Sequence, residues 1–368
     1  LVIENAVTRQ ASPIVVRSVR MQASWSSVLR RQPRLRDVYL DGAVVPQASL
    51  RELRANQDGQ KDAKPPVDWL PGNVRLRSRE LTWIDRRSIE LDYEGAIDLD
   101  DDGLPRDAHI VRSGSSPPTQ LRLQREGADW RWRVLIDVPG GTWNGLAQLA
   151  RTTSGRVKLT GELEPKNVDV EGLLGVFRRH SAVAGRANGK TTLSAEAETP
   201  TALLRNLHTR TQFEIKPARL TGFDLAKAVR SGSATEGGQT PLDELSGTVD
   251  TQNTGNGTQF QYTGLSARSG ALTASGNVRL MRRKLDGELA IDLVDGVVGI
   301  PLKISGTVED PKLSMTGGAL AGAAVGTAVL PGVGTAIGAR VGQQVERLLD
   351  GSPKATGQSP APAAKPSR

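Results

Sequence analysis

Apolar and polar residues alternate with period two along most of this chain. The alternating segments are Pro13–Met21, Arg34–Val45, Val74–Ile84, Ser88–Leu99, Leu121–Val138, Arg156–Val170 and Phe213–Leu220. They continue as Leu245–Thr251, Thr258–Leu265, Ala271–Leu280, Lys284–Leu293 and Ile300–Val308. Successive side chains of a strand point to opposite faces, so this period predicts strands with one buried face. Helical spacing is confined to Trp143–Ala150, Asp169–Arg179, Thr199–Leu207 and Phe223–Val229. Thr199-Pro200 reads as an N-cap followed by Pro at the first helical position. Loops are expected at Ala55–Pro66, Ser113–Pro118 and Ser231–Pro241. The expected architecture is mainly β: an elongated, twisted, antiparallel-rich sheet with a few short helices.

A second pattern sits on the first. An apolar residue, any residue, Gly, any residue and a second apolar residue recur around Gly95, Gly161, Gly247, Gly276, Gly287 and Gly306. The spacing puts each Gly on the same sheet face as its apolar flanks. Gly weakens a strand, so its recurrence implies a bend, a bulge or a surface left open. Either the glycines only let the sheet twist and coil, or they line a shallow trough in a curved sheet. On the late strands the trough face would carry Leu272, Ala274, Val278, Leu280, Leu285, Leu289, Ile291, Ile300, Leu302, Ile304 and Val308.

The run Leu313–Ala339 contains no charged residue and is bracketed by Lys312 and Arg340. Gly318, Gly322 and Gly326 are spaced by four, as are Gly334, Gly338 and Gly342, which puts each trio on one helix face. Pro331-Gly332 breaks the run between them. Each half would make roughly 20 Å of helix, short of a hydrocarbon core of roughly 30 Å. A C-terminal Gly-rich helical hairpin is expected. It either touches a membrane through these glycines, plugs an apolar groove, or is an ordinary buried hairpin. The Pro/Ala/Ser/Lys-rich tail 351–368 is expected to be disordered.

Composition narrows the chemistry. The 368 residues include 48 Lys+Arg against 40 Asp+Glu, a net +8, with no Cys. Disulfides, thiol catalysis and Cys-ligated metals are excluded. The histidines, His109, His180 and His208, lie in unrelated segments, which argues against a metal cage or a His-based triad. Residues 1–54 hold nine basic and four acidic residues. A basic face can meet nucleic acid or anionic lipid. Nucleic-acid binders interleave such charge with stacking aromatics, and only Trp25 and Tyr39 occur here. A solvated strand face, or a membrane-facing one, is expected instead, and no nucleic acid.

All six Trp precede residue 144, and Trp130 and Trp132 share one strand face, suited to closing the sheet at its end. Asp98-Leu-Asp100-Asp-Asp102-Gly103 copies the first half of a calcium loop. Its twelfth position is His109 and Pro105 intrudes, so a hairpin turn is expected. Glu162 and Glu164 sit two apart on an exposed strand face, and the Gly-rich runs lack the Lys-Ser/Thr ending of a phosphate loop. No catalytic constellation, cofactor or metal is expected.

The order of these motifs resembles the AsmA-like family of bacterial envelope proteins. The likeness runs from Ser154–Leu163 through the short helix Val170–Phe177, Thr199–Leu207 and Phe213–Asp224, with its Leu220-Thr-Gly222-Phe-Asp224-Leu turn. It is densest in Ala271–Leu293 and Ile300–Pro311. Val74–Asp85 is similar to a strand pair of the family, with Arg79 where Gly is common. The resemblance implies a twisted sheet curled into an apolar groove. It also implies residence in the periplasm of a Gram-negative bacterium and anchoring in the inner membrane through an N-terminal segment absent here. The implied activity is non-enzymatic transfer of phospholipid or another acyl lipid between membranes, in support of outer-membrane biogenesis. The expected organisation is an N-terminal strand/helix/strand segment (1–54), a first groove part (67–230), a C-terminal β region (241–312), the hairpin (313–350) and the tail. A scaffold for outer-membrane β-barrel proteins and a purely structural envelope protein are the competing readings.

Overall fold

The computed structural model describes residues 1–23, 35–50, 52, 73–127, 129–222, 224, 225, 227, 237–254, 257–293 and 300–315. The early strands are Val2–Val7 (β1), Val15–Ala23 (β2), Leu35–Pro46 (β3), Arg75–Ile84 (β4), Glu90–Leu99 (β5), Pro105–Arg112 (β6) and Thr119–Arg125 (β7). The middle strands are Arg131–Val138 (β8), Gly141–Arg151 (β9), Val157–Lys166 (β10), Val168–Asp169 (β11), Val183–Ala197 (β12) and His208–Thr221 (β13). The late strands are Gln239–Leu242 (β14), Glu244–Thr254 (β15), Gly257–Arg268 (β16), Leu272–Met281 (β17), Lys284–Leu293 (β18), Ile300–Gly306 (β19) and Pro311–Met315 (β20).

These strands form one large twisted sheet whose spatial order follows the chain. Each strand pairs antiparallel with its neighbour, and the exception is β3–β4, which runs parallel. Two short strands share a lane with a longer one. β11 continues the β10 edge along β12, and β14 continues the β15 edge along β13. The ladder from β13 to β15 carries the sheet without interruption from the middle strands into the late ones. Among the described residues no ladder joins β1 to β20, so the sheet is not closed.

Expected strands divide or extend in informative ways. Leu121–Val138 is a hairpin, β7 and β8, not a single strand. Trp143–Ala150, expected as a helix, is the body of β9. There Trp143, Gly145, Ala147 and Leu149 alternate onto one face against Pro165, Leu163, Gly161 and Leu159 of β10. Its apolar spacing fits a helix equally well, and the two neighbouring ladders decide for the strand. The helix expected at Asp169–Arg179 is shorter, Val170–Val176 (α1), with the Asp169 carboxylate accepting the Gly172 N–H at 3.0 Å as its N-cap. Pro200–Asn206 is a 3-10 helix with Pro200 in its first turn. Most of Phe223–Val229, the loop 55–66, the Gly-rich run Gly318–Gly342 and the tail lie outside the described residues.

Sheet twist of roughly 20–25° per strand accumulates to about a full turn over this many lanes. Distant turns consequently meet. Asp85, in the β4–β5 turn, pairs with Arg179 beyond α1, and Arg87 of the same turn lies 4.0 Å from Glu309 in the β19–β20 turn. Glu309 is also held by Arg283 at 2.6 Å.

Candidate functional site

The strand registers define two chemically different faces. One face carries Leu272, Ala274, Gly276, Val278 and Leu280 of β17 opposite Leu293, Ile291, Leu289, Gly287 and Leu285 of β18. It continues through Ile300, Leu302 and Ile304 of β19 to Leu313 of β20. In the other direction it runs through Tyr262 and Phe260 of β16, Val249 and Leu245 of β15, and Ile215 and Phe213 of β13. From there it reaches Leu193, Leu163, Ala147, Val134, Leu123 and Ala108 across β12 to β6. On β12, β13 and β15–β20 no inward position carries a charged residue. The charges alternate onto the other face and pair across strands: Lys190 with Glu162 at 2.8 Å, Lys216 with Glu244 at 3.3 Å, and Arg268 with Glu244 at 2.5 Å. Arg268 and Lys216 together hold the Glu244 carboxyl below the usual carboxylate range.

Glycines on the apolar face mark close approaches between adjacent strands. A Cβ built on Gly145 would stand 2.0 Å from the Glu162 carbonyl oxygen, one on Gly189 2.0 Å from that of Gln212, and one on Gly276 2.2 Å from that of Glu288. Gly287 and Gly95 meet a neighbouring carbonyl at 2.4 and 2.8 Å. All five sit on the apolar face, where the backbone of the adjacent strand approaches them closely. This close approach accounts for Gly95, Gly276 and Gly287 of the recurring pattern, since a larger residue there would collide with backbone.

Packing along this inner face is uneven. Leu272, Val278, Ile291, Leu302 and Ile304 are buried in one cluster with Ile215, Leu242, Leu245, Leu293 and Leu313. Ala274, Leu285 and Leu289 are half-buried against that cluster, while Leu280 and Val308 are half-exposed outside it. For Ile300 the strand pairing places it on the face. Ten of the eleven candidate positions therefore share one face of the sheet, while Val308 lies beyond β19 in the β19–β20 turn. The buried five are packed against other side chains, and the accessible apolar surface lies toward Leu280, Leu285 and Leu289. A second cluster, over β8–β12, is covered by Leu203 of the 3-10 helix, which packs with Trp132, Leu149, Val157 and Ala195. The Tyr262 phenol is pushed up by burial and stays neutral.

Few polar groups interrupt the inner face, and they are ordered. Trp143 Nε1 donates to Thr191 Oγ1 at 3.2 Å, which lies 2.9 Å from Thr211 Oγ1. Arginines stand over aromatic rings toward the strand ends: Arg112 over Tyr93 at 5.6 Å, Arg125 over Trp132 at 5.3 Å and Arg151 over Trp130 at 5.6 Å. Arg125 also pairs with Asp100 at 2.5 Å. Asp100 belongs to the β5–β6 turn, where its Oδ1 accepts the N–H groups of Asp102 and Leu104 at 2.9 and 2.8 Å. The calcium-like run 98–103 is thus a turn whose central carboxylate is occupied by backbone and Arg125.

Sequence reasoning missed the inward arginines. The signal was present in the parity: Arg112 continues Ala108 and Ile110, and Arg125 continues Leu121 and Leu123. Among the described residues no group of three or more His, Asp or Glu could hold a metal ion, and no helix is long and apolar enough to cross a membrane. The candidate membrane glycines Gly318, Gly322, Gly326, Gly334, Gly338 and Gly342 lie outside the described residues. No protein family, curated protein or solved structure matches this chain.

Proposed function

We propose that this chain holds acyl lipid along its inner face and passes phospholipid between the two membranes of a Gram-negative envelope, in the manner of AsmA-like proteins. The observation that carries the reading is the uncharged inner face across β12, β13 and β15–β20, set against an outer face of paired charges. Acyl chains laid on such a face replace water, contributing about 2.5 kcal/mol per roughly 100 Å² of apolar surface covered. Carriage of this kind needs a long apolar path and a polar exterior, and it needs no catalytic group. The partly buried patch at Leu280, Leu285 and Leu289 is where lipid would enter. The Gly318–Gly342 run would hold the C-terminal end at a bacterial membrane, with Lys312 and Arg340 reaching the headgroups. Mass spectrometry of lipid extracted from the purified full chain tests the reading. Co-purified phospholipid supports it, and a preparation that stays lipid-free after incubation with phospholipid vesicles contradicts it.

One observation favours the scaffold reading as well. Among the described residues β1 pairs on one side only, with Val2 and Val7 56% and 60% exposed, and such an edge can accept a strand from another protein. Capture of an unfolded outer-membrane strand at β1, with no lipid bound, would favour it.

A further inference from the structure

We propose that Arg112 and Thr119 form a phosphate-binding subsite on the inner face, at the end of β6 and β7. The two residues are directly opposed across the ladder, so their side chains stand side by side on the apolar side of the sheet. Both are 7% exposed.

Arg112 is a buried cation that pairs with no carboxylate among the described residues. Its Nη1 donates to two backbone carbonyls, those of Asp92 at 2.9 Å and of Ser113. Its Nε is buried with no hydrogen-bond partner, and so is Thr119 Oγ1. The nearby carboxylates are held on the outer face by strand parity. Asp92 accepts from Thr82 at 2.7 Å, Asp98 pairs with Arg77, and Asp137 accepts from Gln120 at 2.6 Å. The remaining neighbour is Tyr93, opposite Arg112 on β5, whose ring lies under the guanidinium. Burial pushes its phenol up, so it supplies no negative charge.

A buried guanidinium without a counter-ion is unfavourable, and an unmade hydrogen bond at each of two adjacent groups adds to that. Both atoms are closed off from solvent, so an anion would reach them by displacing the side chains at this strand end, and bound there it would relieve all three at once. The guanidinium edge presents donors in a fixed fork, and the hydroxyl beside it adds another. This set suits the several oxygens of a phosphate monoester or diester. Its backing is firm, because Ser115 ties the turn: its hydroxyl donates to the Arg112 carbonyl at 2.9 Å and accepts the Thr119 N–H at 3.0 Å. A lipid headgroup and free phosphate share this chemistry. Naming phospholipid as the source rests on the reading above.

The test compares the full chain with Arg112→Met and Arg112→Lys by thermal unfolding. Three additions are used: inorganic phosphate, vesicles of phosphatidylglycerol in phosphatidylcholine, and a micellar suspension of diacylglycerol, which lacks phosphate. Arg112→Met fills similar volume without charge and is expected to unfold no earlier than the parent in the absence of ligand. The parent is expected to gain several degrees with the phospholipid and none with diacylglycerol. Half-maximal protection should need at least about tenfold more phospholipid in Arg112→Lys and be lost in Arg112→Met. Protection by inorganic phosphate as well assigns the site to free phosphate in addition. Equal protection of parent and Arg112→Met, or no protection of the parent by either phosphate source, overturns the subsite. Should protection fail in this way, capture of acyl chains at Leu285 in the parent would show that the subsite had failed while the lipid face had not.

Discussion

Gly145→Ala is the smallest perturbation that tests the close approach of β9 to β10. The added Cβ would lie 2.0 Å from the Glu162 carbonyl oxygen and 2.7 Å from the Leu163 Cα. Real Cβ contacts essentially never fall below 3.0 Å, so β9 and β10 must separate locally by at least about 1 Å. Both obstacles are backbone, and no side-chain rotation relieves them. Overpacking of this kind costs about 1–3 kcal/mol, and each ladder hydrogen bond stretched by the separation adds about 1 kcal/mol. A loss of about 3 kcal/mol is therefore expected. Gly175→Ala in α1 is the control, because nothing lies within 4 Å of its Cβ and Ala favours a helix over Gly by up to about 1 kcal/mol. Urea unfolding followed by tryptophan fluorescence reads both, with Trp143 two residues from the substitution. If Gly145→Ala unfolds at the same urea concentration as the parent, the backbones of β9 and β10 do not approach this closely at Gly145, and the steric account of the glycine fails.

Other outcomes follow from the same geometry. Ile304→Asp places a carboxylate in the packed cluster and is expected to cost several kcal/mol in thermal unfolding, whereas Leu280→Asp, at a half-exposed position, is expected to leave the fold intact and abolish lipid transfer between vesicles. Asp85→Ala removes the partner of Arg179 and the acceptor for the Arg87 and Ile89 N–H groups, and a loss of about 3 kcal/mol in urea unfolding is expected. The Glu244 carboxyl is depressed in the folded state by Arg268 and Lys216, so its contribution is present above the unfolded carboxylate range and is lost as pH falls through the lower folded value. Glu244→Gln should lower stability at neutral pH, where that contribution is present, leave the acid end nearly unchanged, and so flatten the acid limb of the stability profile. Deleting Gly318–Gly342 should reduce flotation with liposomes while the β circular dichroism persists; equal flotation would remove the membrane role of that run.

Much of the sheet was legible from period-two alternation alone, because the inner face stays apolar over so many lanes. The strands from Ala271 to Leu293 show it best: the same alternation that names Leu272 and Val278 also sets their register against Leu293 and Gly287. Legibility failed where an inward position holds no side chain. Gly145 hides the parity of β9 and leaves Trp143, Leu146 and Ala150 spaced as on a helix. It failed again where parity shifts at bulges, as between Ser246 and Thr248 and between Tyr262 and Leu265, with Gly264 at φ 58° supplying the extra residue. The parallel pairing of β3 with β4 depends on how the chain returns between them and leaves no local trace. Nor does alternation tell which inward residues are covered. Ile291 and Leu280 look equivalent in sequence, yet Ile291 is fully buried within a packed cluster and Leu280 is only partly buried outside it.

The central claim is that lipid lies on one face of the late strands. Photo-crosslinking side chains placed singly at Leu280, Leu285 and Leu289, and at Arg279, Asp286 and Glu288 on the opposite face, test it most directly. After irradiation with phospholipid in cells or vesicles, the account predicts lipid adducts at the first three positions and none at the last three, a capture pattern with the period of the strand. Adducts on both faces alike, or on neither, would contradict it.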